Sequence, residues 1–199
     1  MIQTSSDITG EAVAALGRAD AMGLLPADEA IDTRDLTATL LRMLDHLHRA
    51  GIGRTIHAMA NGHLAESPAE MANLLRQLNA ALEESPVPEY EWKQVGRVLG
   101  PELLARLVGI SPISLRRYEA AARSTPDKIA ARLHFLAMVT GDLAGAYNNM
   151  GVRQWFDRKR TQLGGRPPAE LLKGDWTPDM EGPAQVRELA RALTASFAA

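Results

Sequence analysis

The sequence has no cysteine, only 5% aromatic residues, almost no net charge and no long apolar run. Without cysteine there are no disulfides, no thiolate metal sites and no Cys nucleophile, which is compatible with a reducing compartment. No apolar stretch approaches the roughly 18 residues of a membrane span. Met1 to Gly10 is polar and has no basic segment ahead of an apolar one, so no secretory signal is visible. These absences read as a soluble cytoplasmic protein without a membrane partner. The formal charge of −2, from 22 Lys+Arg and 24 Asp+Glu, argues as an average against a uniformly basic nucleic-acid wrapper or an acidic tail protein. What the chain does have is 199 residues at 46% hydrophobic, enough for one or two compact domains.

The charge average is a cancellation. Residues 1–92 carry 6 Lys/Arg against 14 Asp/Glu, a balance of −8, whereas residues 93–199 carry 16 against 10, a balance of +6. The basic excess gathers in residues 97–166, where 12 Lys/Arg face 5 Asp/Glu. Such asymmetry suggests two regions with different partners.

Apolar residues recur at helical spacing and β-branched alternation is nearly absent, so the predicted fold class is all-α. Leu36, Leu40, Leu41, Leu44 and Leu47 form one stripe, with Thr33 as N-cap and Gly51 as terminator. Ser67-Pro68-Ala69-Glu70 opens a second helix through Met71, Leu74, Leu75, Leu78 and Leu82. Pro86-Val87-Pro88 stops it and marks the best linker candidate, where the charge also changes sign. Beyond it, helices are predicted near 90–98, 101–107, 112–121, 126–146, 150–158, 167–172 and 183–196. The N-terminal region carries little chemistry. His46 and His48 are two residues apart and point to different faces, unlike metal ligands at four-residue spacing, and Met43, Met59 and Met71 read as core filling.

The segment from Pro101 to Tyr118 has helix-turn-helix spacing. Ala105 is small where two helices cross, Gly109 suits the left-handed turn, and Leu115 with Tyr118 forms one face that packs back on Leu104 and Leu107. Ser111 is a good N-cap and Pro112 a good first helical residue. The outward positions of the second helix are then Ile113, Ser114, Arg116 and Arg117. Arginines there reach phosphates or guanine edges, while Ser111 and Ser114 near the helix start suit backbone or base contacts. The competing reading is an ordinary helical hairpin with solvated arginines.

Leu115-Arg-Arg-Tyr-Glu119 followed by Arg123-Ser-Thr-Pro126 resembles the Xre/Cro-like helix-turn-helix, in which an aromatic-Glu pair precedes an Arg-x-Pro-type turn. The resemblance implies Ser111, Ile113, Ser114, Arg116, Arg117 and Arg123 as DNA contacts. Ala120-Ala121-Ala122 stands where glycine is usual in that family, a departure that predicts a lengthened second helix. Farther on, Gln154-Trp155-Phe-Asp-Arg158-Lys159-Arg160 and Leu163-Gly164-Gly165-Arg166-Pro167-Pro-Ala-Glu-Leu171-Leu172, before a terminal helix, resemble the Xre/MbcA/ParS antitoxin family over roughly Val95 to Ala195. That resemblance implies an all-helical protein that neutralises a co-encoded RES-domain toxin acting on NAD, by blocking its active-site cleft, and that in many cases binds its own promoter. It divides the chain into an acidic helical region of unassigned role (1–88), an Xre-like helix-turn-helix region (89–139) and a toxin-binding domain (140–199). Its implied toxin-binding residues are Trp155, Arg158, Lys159, Arg160, Gly164, Gly165, Arg166 and Pro167.

Read from the residues alone, Gly164-Gly165 makes a sharp turn, Pro167 directs Leu171 and Leu172 inward, and Arg158, Lys159, Arg160 and Arg166 form a cationic rim suited to an acidic surface or phosphates. Trp155, Leu171 and Leu172 fit either core packing or a partner pocket, and the arginines either a solvated face or a partner contact. The chain departs from the family pattern by inserting Gly174–Pro183, where Trp176 is either a cover on the core or a partner contact. The chain lacks a Gly-x-Ser-x-Gly elbow, a phosphate-binding Gly-rich loop and a His/Asp/Glu cluster at metal spacing, which speaks against an enzyme and calls for no cofactor or metal. The expectation is a homodimeric antitoxin and autorepressor, bound to operator DNA and to a RES-domain toxin. The alternative is a stand-alone helix-turn-helix transcriptional regulator whose N-terminal helices dimerise or sense a partner.

Overall fold

A computed structural model describes residues 2–25, 36–52 and 67–197, with the backbone alone at 2–7, 36–38 and 194–197. The described residues form ten α-helices and one 3-10 turn, with no β-strand. In chain order the helices are α1 (Ile2–Ala21), α2 (Leu36–Arg49), α3 (Pro68–Glu83), α4 (Pro88–Leu99), α5 (Pro101–Val108), α6 (Pro112–Glu119), α7 (Asp127–Ala144), α8 (Asn149–Asp157), α9 (Pro168–Leu171) and α10 (Glu181–Phe197), with the 3-10 turn at Thr161–Leu163. No helix among the described residues is long and apolar enough to cross a membrane. Thr33 and Met59 lie outside the described residues.

Helix starts follow local chemistry. Proline occupies the first turn of α3, α4, α5, α6 and α9, where its missing N–H costs nothing. Ser67 forms a capping box: its hydroxyl accepts from the Glu70 N–H at 3.3 Å, and the Glu70 carboxylate accepts from the Ser67 N–H at 3.1 Å. Asn148 caps α8 by accepting from the Gly151 N–H at 2.9 Å.

Helix α7 is the hub. Its residues 132–143 are all buried, and α1, α4, α5, α8 and α10 pack on it. An all-round buried helix should be apolar throughout, so its polar members need partners. Arg132 donates to carbonyls, His134 lies 2.6 Å from Glu91 and 3.0 Å from the Glu83 carbonyl, and Thr140 donates to the Ala137 carbonyl at 2.9 Å. Because the Glu83 carbonyl only accepts, His134 Nε2 carries a proton there. Burial pushes the Glu91 carboxyl up, and its hydrogen bond to His134 pulls it part of the way back.

The core is continuous from α1 to α10, so Pro86–Pro88 is a tight connection inside one body and not a linker between two. Val87 there is itself buried. Two features bind the N-terminal helices to the rest. Helices α1 and α7 meet at paired glycines: a Cβ on Gly141 would lie 3.0 Å from the Gly17 carbonyl oxygen and 3.2 Å from the Arg18 Cα. Beside that crossing, Glu83 of α3 accepts from Arg18 of α1 at 2.9 Å and from Arg187 and Arg191 of α10 at 3.4 and 2.8 Å. Asp142 of α7 pairs with Arg187, and burial pulls that guanidinium down to about 9, with repulsion from Arg191 and Arg18 adding to it. Part of the opposite charge of the two halves is therefore spent internally.

Helix α6 ends at Glu119, and the alanine run does not lengthen it. Ala121 adopts φ 52°, the left-handed conformation usually left to glycine. The Ala122 N–H then bonds the Arg117 carbonyl at 2.9 Å and the Ala121 N–H the Tyr118 carbonyl at 3.0 Å, which closes the helix with a Schellman motif. Alanine performs the glycine's task at a cost in backbone strain.

Candidate functional site

Helices α5 and α6 are joined by a turn in which Gly109, at φ 80° and ψ 40°, is the left-handed C-cap of α5. Its neighbours satisfy the last carbonyls of α5 from outside the hairpin. Trp176 Nε1 donates to the Leu107 carbonyl at 3.0 Å, and Arg132 Nη1 to the Val108 carbonyl at 2.9 Å. Arg132 also donates to the Trp176 carbonyl at 2.7 Å and to Asp175 at 3.0 Å, and its guanidinium lies 5.2 Å from the Trp176 ring. Lys128 and Arg132 together hold the Asp175 carboxyl below the usual carboxylate range. Trp176 is thus a cover on the core, 2% exposed and edge-on to Phe135. Through Asp175 and Trp176 the segment before α10 is stitched to the turn, a role the sequence hinted at only through an arginine placed inside the apolar run of α7.

From this frame α6 projects as expected. Leu115 and Tyr118 are buried in the common core, and Tyr118 stacks on Trp92 of α4 at 5.4 Å with an interplanar angle of 7°. On the opposite face Ile113, Arg116 and Arg117 are exposed, and their spacing of three and four residues aligns them. Neither Arg116 nor Arg117 has an ion-pair partner among the described residues. Arg123 is exposed, with its guanidinium 5.8 Å from the Tyr118 ring. The Ser111 hydroxyl accepts from the Ser114 N–H at 3.2 Å as the helix cap, and the two serine hydroxyls lie 3.1 Å apart in one hydrogen bond. Ser111 is exposed, while Ser114 is half-buried rather than fully outward.

The second cluster surrounds Gly164-Gly165. Arg160 and Arg166 form an isolated antiparallel bridge, with the Arg160 N–H 3.1 Å from the Arg166 carbonyl. Gly164 and Gly165, at φ 65° and 77°, close the loop between them, and both are exposed. Arg158, Lys159 and Arg166 are exposed, and Arg158 donates to Gln154 at 2.9 Å. Pro167 is half-buried and caps α9. Trp155 differs from the expectation of a partner contact: it is 1% exposed, packs edge-on against Phe156 at 5.2 Å, and has the half-buried Arg160 guanidinium 5.5 Å from its ring. It belongs to the core, as does Leu172, while Leu171 is half-buried.

The two clusters sit on one framework. Arg106 of α5 pairs with Asp157 of α8 at 2.8 Å, and Arg153 of α8 donates to the Val98 and Arg97 carbonyls at the end of α4 at 2.7 and 3.0 Å. Among the described residues no group of three or more His, Asp or Glu gathers to hold a metal ion. Compared with family models, curated proteins and solved structures, the chain matches none.

Proposed function

We propose that this protein is a DNA-binding antitoxin of the Xre/MbcA/ParS type, acting in the cytoplasm as a homodimer without enzymatic activity of its own. The observation that carries the reading is the unpaired arginine face of α6, held outward by a helix-turn-helix whose inner face is buried. Two exposed guanidiniums without internal carboxylates, beside the Ser111 and Ser114 hydroxyls at the helix start, suit phosphates and base edges. Arg123 adds a phosphate contact at the end of the helix. Operator DNA is the partner of this face, read as two half-sites by a two-fold dimer.

The Gly164-Gly165 turn with Arg158, Lys159 and Arg166 is the contact surface for a RES-domain toxin, whose NAD-consuming cleft it occludes. Trp155 supports that surface from beneath and Arg160 braces it. The resemblance of Gln154–Leu172 to the antitoxin family supports this half, and the exposed cationic rim is consistent with it.

Two measurements on the full chain test the reading. DNA selected by the protein from a random duplex pool should lose affinity with Arg116→Ala/Arg117→Ala, and the salt slope should fall by about one for each phosphate contact removed. Unchanged affinity and slope would remove DNA from this face. Co-expression with a RES-domain toxin should protect cellular NAD, and Arg158→Glu/Lys159→Glu/Arg166→Glu should abolish protection and co-purification. A chain that binds DNA but no RES-domain protein is the stand-alone regulator instead. Substitutions are required because truncation before Gln154 would strip Trp155, Phe156, Leu163, Trp176 and Val186 from the shared core.

A further inference from the structure

Ile113 is 64% exposed, more than any other large apolar side chain described, yet it stands in the first turn of α6 on a face otherwise polar. An isolated exposed apolar residue needs no explanation by itself. Its setting does. Isoleucine is stiff at χ1 and a weaker helix former than alanine, so nothing local favours it on an exposed helix face. Pro112 and the Ser111 cap fix the backbone on its N-terminal side, and Leu115 and Tyr118 anchor the opposite face. The branched side chain is therefore presented rigidly, three and four residues before Arg116 and Arg117. A helix of this construction offers its N-terminal residues to base edges and the cations behind them to phosphates or guanines.

Resting on the DNA-binding reading of α6, we propose that Ile113 is a specificity-determining residue that packs against the 5-methyl group of a thymine in the major groove. That methyl is the apolar feature unmodified base pairs show there, and the other edge groups are hydrogen-bond donors or acceptors that a hydrocarbon side chain cannot satisfy. Arg116 and Arg117 set register and affinity, Ser114 donates to the backbone or a base acceptor, and Ile113 distinguishes thymine from cytosine at one position of each half-site.

The test uses the full chain and duplexes selected by it from a random pool, with each selected thymine replaced in turn by deoxyuridine, which pairs identically but lacks the methyl. At one position per half-site the wild-type protein should bind the deoxyuridine duplex about three- to ten-fold more weakly. Ile113→Ala should show a similar loss on the thymine duplex, no further loss on the deoxyuridine duplex, and the wild-type salt slope, because no phosphate contact is removed. Wild-type binding indifferent to deoxyuridine everywhere, or an Ile113→Ala variant that keeps the full methyl dependence, would overturn the assignment while leaving α6 a DNA-binding helix. Failure to select any DNA overturns both readings. If Ile113→Ala binds both duplexes like wild type but no longer co-purifies with the RES-domain protein, Ile113 is a protein contact.

Discussion

Two groups of arginines in this molecule have the same formal charge and opposite uses. Arg18, Arg132 and Arg187 are drawn into the body and spend their donors on carboxylates and backbone carbonyls of other segments. Arg116, Arg117, Arg158 and Arg166 are exposed, and none of them pairs with a carboxylate among the described residues. The basic balance of residues 93–199 therefore overstates what is available to a partner. The cations that hold α1, α3, α7 and α10 together are not the ones that can meet DNA or an acidic surface.

Removing a buried cation should separate the groups most sharply. Arg187→Met leaves Asp142 and the Met138 carbonyl without that donor in the interior, and should cost about 3–5 kcal/mol in denaturant unfolding. Gly141→Ala attacks the same junction without touching charge. Its Cβ, 3.0 Å from a backbone oxygen, should force α1 off α7 at a cost of about 1–3 kcal/mol, and a melting temperature equal to wild type would show that the crossing relaxes freely. On the exposed side, Ala121→Gly should stabilise the protein by up to about 1 kcal/mol. Relief of roughly 1–2 kcal/mol of left-handed strain exceeds the added freedom of the unfolded chain, about 0.4–1 kcal/mol. Destabilisation there would mean that the α6 terminus is not strained. The smallest effect belongs to Arg116→Ala/Arg117→Ala, which should leave stability within about 0.5 kcal/mol while weakening DNA binding. A large loss of stability would erase the contrast between the two arginine groups.

Much of the fold was legible because its signals are local. The proline-led starts at Pro68, Pro101 and Pro112, the Ser67 box, the Ser111 cap and the Gly109 turn involve residues within a few positions of one another, and the predicted helices from 90 to 196 coincide with α4–α10 to within a few residues, although Pro88 opens α4 rather than a linker. The outward set Ile113, Arg116 and Arg117 followed from the helical period and the buried Leu115 and Tyr118. Trp155 and Trp176 were open between core and partner because burial depends on packing that no sequence neighbour reports. Asp175, Lys128 and the α5 carbonyls come together only through contacts tens of residues apart.

By itself, then, the order of residues decided where helices begin and which face of α6 turns outward, since capping, proline geometry and period act over a few residues. The close of α6 was not readable in this way: the alanine run predicts a longer helix, whereas Ala121 at φ 52° ends it. Tertiary structure decided which cations are spent and which are offered. A guanidinium goes inside only where carbonyls and carboxylates from distant helices converge to replace its water, as they do at Arg132 and Arg187 and not at Arg116 or Arg117.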